Sequence, residues 1–110
     1  MKRTFKEFPA FTRLVKSKRL PEEEVERFQL AIMAGAGTTI PGTGGVKKIR
    51  GRRGHGGKSG GWRVLFADYD RLGLTFLIWA FPKGIQADLT EAQKKTIRQL
   101  KRAIDQEVQK

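Results

Sequence analysis

The chain contains no cysteine and a single histidine, His55. The first absence excludes a disulfide scaffold, a Cys-ligated zinc site, a thiol nucleophile and thiol redox chemistry. The second excludes catalysis by paired imidazoles and His-rich metal clusters. No apolar run approaches the roughly 18–20 residues of a spanning helix, and the start, Met1-Lys2-Arg3-Thr4-Phe5-Lys6-Glu7, leads into no signal-peptide core. The expectation is a soluble cytoplasmic protein with no membrane partner, no metal and no cofactor. Acidic residues are also scarce: 11 Asp and Glu stand against 23 Lys and Arg, a formal net charge of +12. Such an excess points to a polyanionic partner.

What is present bounds the fold. A length of 110 residues suits one domain, spanning 1–110. Seven Phe and two Trp within 38% hydrophobic residues are enough for one modest core, so wholesale disorder is not expected.

The charge is uneven. No Asp or Glu occurs between Glu26 and Asp68, an interval holding Arg27, Lys47, Lys48, Arg50, Arg52, Arg53, Lys58 and Arg63. Eleven of the 13 glycines, from Gly35 to Gly61, fall there too. Seven cations between Lys47 and Arg63 with no anion repel one another unless something negative binds. We read this as a basic, glycine-rich loop that moulds onto a phosphate backbone, with Lys47, Arg50, Arg52 and Arg53 as RNA-binding candidates. The plainer alternative is a solvated hairpin connection.

Periodicity predicts the order β-α-α-β-β-β-α. Thr4–Phe8 reads as a short edge strand, followed by a helix from about Pro9 to Lys16. Pro21 sits at the first turn of a second helix. Val25, Phe28, Gln29 and Ile32 form its apolar stripe, and Gly35 stops it. The two helices read as an antiparallel hairpin. Val46–Arg50, Trp62–Tyr69 and Leu74–Phe81 are strand candidates, the last two joined by a turn at Asp70-Arg71-Leu72-Gly73. Alternation puts Trp62, Val64 and Phe66 on one face and Arg63, Leu65 and Ala67 on the other. Thr90 with Gln93 forms a capping box for a last helix, with Ile97, Leu100, Ile104 and Val108 as its stripe. The fold class is a small α+β domain with helices packed on an antiparallel sheet.

Chemistry that such residues can support does not require a metal or an imidazole. RNA carries its own nucleophile, the 2′-hydroxyl, beside the scissile phosphate. A protein accelerates that attack by positioning it and stabilising the extra charge on the phosphorane. The Arg fork suits phosphate oxygens, and Lys acts as a point charge or, crowded by cations, as acid or base. Lys58, Arg63 and a neighbouring Lys are sufficient for this in principle. No helix-turn-helix signature and no RNP-type aromatic pair is evident. Gly57-Lys58-Ser59 is not a P-loop, because a strand follows it instead of a helix. His55, between two glycines, lacks an orienting partner. Trp62 and Phe81 are candidates for base stacking or, with Val64 and Phe66 beside Trp62, for the core.

Two motifs carry a family resemblance. Ile40-Pro41-Gly42-Thr43-Gly44-Gly45-Val46-Lys47-Lys48-Ile49-Arg50 is followed by Gly57-Lys58-Ser59-Gly60-Gly61-Trp62-Arg63-Val64-Leu65-Phe66, then Phe81-Pro82-Lys83 and Asp88-Leu89-Thr90. This resembles the RelE/HigB toxins of bacterial type II toxin–antitoxin modules over nearly the whole chain. The resemblance implies a RelE-like domain: an N-terminal helical hairpin on a curved, antiparallel-rich sheet, closed by a C-terminal helix. It implies an endoribonuclease that cuts mRNA on the ribosome and is neutralised by an antitoxin, often of helix-turn-helix type. By motif match, Arg63 stabilises the phosphorane and Lys58 contacts the phosphate or helps proton transfer. Lys83 supplies a further cation, and Lys48 matches a catalytic strand lysine. Some members have a C-terminal tyrosine that positions substrate, whereas no Tyr follows Tyr69 here. The alternatives are a ParE-like gyrase inhibitor on the same fold and a non-catalytic RNA- or ribosome-binding protein.

Overall fold

The computed structural model describes residues 2–51, 61–86 and 88–109. The elements follow in the order β1 (Thr4–Glu7), α1 (Pro9–Lys16), α2 (Glu22–Met33), β2 (Thr38–Thr39), β3 (Lys47–Arg50), β4 (Trp62–Tyr69), β5 (Leu74–Pro82) and α3 (Glu91–Val108). The predicted α+β fold is therefore present, with one strand more than the periodicity indicated. β2 is only two residues long, too short to show alternation, and glycines and a proline surround it.

Helix ends are set by local chemistry. Pro21 occupies the N-cap of α2, one residue before the first turn where the sequence put it, and Glu22, Glu23 and Glu24 follow at the positive end. At its other end Gly35 adopts φ +92°. Gly35 N–H donates to Ile32 and Ala36 N–H to Ala31, which closes a Schellman motif. α1 ends the same way, except that Lys18 takes the left-handed position at φ +61°. The capping box of α3 forms as expected: Gln93 N–H donates to Thr90 Oγ1, and Thr90 N–H to Gln93 Oε1.

The five strands are ordered β1-β5-β4-β3-β2. β1 is an edge strand parallel to β5, and all other pairs are antiparallel. Helices cover both faces. On one, Phe11, Leu20, Val25, Phe28 and Ile32 of the hairpin region pack with Ile49, Val64, Phe66, Leu77 and Ala80. On the other, Ile97 and Ile104 of α3 pack with Leu65, Ala67, Ile78 and Phe81. This double burial explains why β4 and β5 read as nearly continuous apolar runs.

A β-bulge interrupts the central ladder. Leu65 pairs with Trp79 but Phe66 pairs with Leu77, so Ile78 is the extra residue. Ile78 and Trp79 then belong to the same core, on the α3 side. Strict alternation would have put Phe81 on the hairpin side. The bulge instead brings it opposite Arg63 on the α3 side. No helix among the described residues is long and apolar enough to cross a membrane.

Candidate functional site

The site starts from one cross-strand pair. Arg50 of β3 stands directly opposite Arg63 of β4. The next pair toward the strand end is hydrogen-bonded, since Gly51 N–H donates to the Trp62 carbonyl at 2.9 Å. Antiparallel ladders alternate, so Arg50–Arg63 is a non-hydrogen-bonded pair, the kind that brings side chains closest. Two like charges in that position are destabilising.

Arg63 bears a second cost. It is 5% exposed, yet among the described residues no carboxylate comes within ion-pair distance of it. Among the described residues its side chain makes one hydrogen bond, from Nη1 to the Trp62 carbonyl at 3.3 Å. Burial pulls the guanidinium below its ordinary pKa, Arg50 lowers it further, and Asp88 partly opposes both. A buried, unpaired, still cationic fork is a receptor for an anion.

Arg63 and Arg50 line a cavity of about 1240 Å³ together with Lys48, Lys83, Gly51 and Gly61. Its other wall is α2, through Glu24, Arg27, Phe28 and Ala31. β2 pairs only with Lys47 and Lys48, so from Ile49 onward no strand among the described residues pairs with the outer edge of β3. Lys83 is held at the cavity by its backbone N–H, which donates to the Gly61 carbonyl. Lys48 lies on the Arg50 side of β3, and its Nζ donates to Asp88 Oδ1 at 3.1 Å.

Of the residues singled out in the sequence, Lys48, Arg50, Arg63 and Lys83 thus meet in one cavity. Lys47 does not line it. It pairs with Phe66, one register step farther from the strand end than Ile49, which shares its face and does line the cavity. Lys58, Arg52, Arg53 and His55 lie outside the described residues. Phe81 is buried in the α3-side core and Trp62 packs against the other, so both serve packing.

The Gly42–Gly45 motif has a structural role. The buried Thr43 hydroxyl donates to the Ile40 carbonyl at 2.7 Å and accepts from Val46 N–H at 3.2 Å. Gly44 and Gly45 have positive φ and lie against Lys101 and Arg98 side chains, and Arg98 donates to the Gly42 carbonyl. The turn seats α3 and does not line the cavity. Sequence reasoning missed Arg27, which lines the cavity from α2 with its charge answered by Glu24. It also missed the contact of Asp88 with Lys48, since an acid just ahead of a helix reads as ordinary N-terminal charge.

Residues 2–110 match the family model described as the RelE toxin of the RelE / RelB toxin–antitoxin system. The chain belongs to the RelE toxin family. RelE toxins work in toxin–antitoxin systems, generally as endoribonucleases that inhibit translation, and an antitoxin holds them in check. The match runs through every strand and helix of this RelE-family toxin, so the cation cavity lies inside the matched region.

Proposed function

We propose that this toxin is a ribosome-dependent mRNA endoribonuclease. It cuts by attack of a 2′-oxygen on the adjacent phosphorus, with departure of the 5′-oxygen. The products are a 2′,3′-cyclic phosphate and a 5′-hydroxyl end. The observation that carries this reading is Arg63: buried, opposed by Arg50, without a carboxylate partner among the described residues, and facing a cavity that Lys48 and Lys83 also line.

In the proposed mechanism the Arg63 fork holds the non-bridging oxygens, whose charge grows as the phosphorane forms. Arg50 and Lys83 add fixed positive charge beside it. Lys48, and Lys58 by its place in the Gly57–Gly61 motif, contact the phosphate and take part in moving the proton from the 2′-oxygen to the 5′-oxygen. The nucleophile belongs to the RNA, so the protein's task is to fix the geometry and stabilise charge. A net charge of +12 favours docking on ribosomal RNA. The antitoxin that restrains it is proposed to be a helix-turn-helix protein.

Mapping of mRNA 5′ ends after induction tests the reading. Wild type is expected to arrest growth and to produce new 5′ ends within translated messages. Arg63→Ala is expected to lower cleavage by about 10²–10³-fold, as for loss of one oxyanion donor. Arrest with intact translated mRNA overturns the proposal.

A further inference from the structure

Asp88, the partner of Lys48 in an ion pair, is the charged group beside the cleft that the cutting chemistry leaves unused. Lys48 Nζ and Asp88 Oδ1 are 3.1 Å apart. The Asp88 side chain is 76% exposed and that of Lys48 31%. A pair so open to water contributes little to stability, so it is easily exchanged for a better partner.

Its placement gives it a role. Lys48 lines the large cavity with the arginines, and it also lines a smaller one of about 260 Å³ with Asp88, Thr38, Thr39 and Lys94. Asp88 lines only the smaller one. Its carboxylate therefore engages Lys48 from the side of the smaller cavity. Asp88 is also the acid whose charge partly offsets the burial of Arg63. One exposed carboxylate thus answers two cations of the cleft, while the other acid that lines it among the described residues, Glu24, is taken up by Arg27.

We propose that Asp88 is an internal counterion that RNA displaces: in the free toxin its carboxylate occupies Lys48, and an RNA phosphate takes its place as substrate enters the cleft. This rests on the RNA-cutting reading above. A phosphate in the large cavity meets Lys48, Arg50 and Arg63 together, whereas among the described residues the Asp88 carboxylate is ion-paired with Lys48 and acts on Arg63 only through its field.

The test measures anisotropy of a labelled single-stranded 2′-O-methyl RNA, which lacks the attacking hydroxyl and stays intact. Asp88→Asn is expected to bind about two- to fivefold tighter than wild type near 0.1 M salt, the range an exposed ion pair supplies. A misfolded variant does not gain affinity. Asp70→Asn makes the same charge change at the far end of β4, beyond the screening length, and is expected to shift binding little. The Asp88→Asn gain is expected to shrink in a Lys48→Ala background, leaving only the part that acts through Arg63. Equal gains from Asp88→Asn and Asp70→Asn, or a gain undiminished by Lys48→Ala, overturn the inference alone. If wild type does not bind, or if neither Arg50→Ala nor Lys83→Ala weakens binding, the cleft is not an RNA site and the underlying reading falls with it.

Discussion

Arg63 is held in a place that costs the folded chain and benefits a phosphate. Its value lies in the fork as well as the charge, because two parallel N–H groups match two phosphate oxygens. Arg63→Lys keeps the charge and loses the fork. We expect it to fold with an unchanged melting temperature and still to cut at least tenfold more slowly in a primer-extension assay. Lys18 is a second residue in an uncomfortable place, left-handed at φ +61° without being glycine. It is exposed, so its side chain has little packing to lose. Lys18→Gly is expected to raise stability by about 0.5–1 kcal/mol in urea unfolding. At this scale Arg63 and Lys83 were legible, because each stands at the end of a readable strand. Lys47 and Lys48, given different roles in the sequence, lie on opposite faces of β3, and of the two Lys48 lines the cavity. Asp88 was invisible because its partner is 40 positions away.

Among the elements, α3 depends on what it meets. Asp105 accepts from Tyr69 on β4 and from Lys101 one turn earlier, and Lys101 also lies over the Tyr69 ring. Burial pushes the Asp105 carboxyl up, but the hydrogen bonds from Lys101 and Tyr69 and the Lys101 charge outweigh it and hold it below its ordinary value. A carboxyl with a depressed folded pKa contributes stability above its unfolded value of about 3.9 and loses it as pH falls through the folded one. Asp105→Asn is therefore expected to melt below wild type at pH 6, with the gap narrowing below about pH 4. The bulge at Ile78 gives a stronger prediction. Deleting Ile78 closes the bulge and keeps Leu77 and Trp79 on the opposite faces they already occupy, so the register survives and the cost is the lost burial of the Ile78 side chain. We expect a loss of about 2–5 kcal/mol with the thermal transition still cooperative. The α-helices were readable within a residue or so because apolar spacing and caps are local signals. β2 and the bulge were not, since a two-residue strand has no period and an apolar run buried on both faces hides a slipped register.

For the molecule as a whole, helices on both faces of one sheet leave only its rims open. β1 closes one rim and the two-residue β2 half closes the other. The α+β class and the basic middle segment were legible from patterning and charge, but where the cations converge depends on where the sheet stops. That unfinished rim has a consequence beyond ligand binding. Among the described residues no strand pairs with that stretch of β3; an unpaired edge invites another strand, and a second toxin molecule carries the same edge. At Arg50 a charged side chain marks the seam and discourages such zippering. Arg50→Val is expected to form concentration-dependent dimers or larger species in size-exclusion chromatography, while wild type under the same conditions elutes independently of loading. The guanidinium proposed to meet RNA is thus also the guard expected to keep one copy from stitching itself to the next.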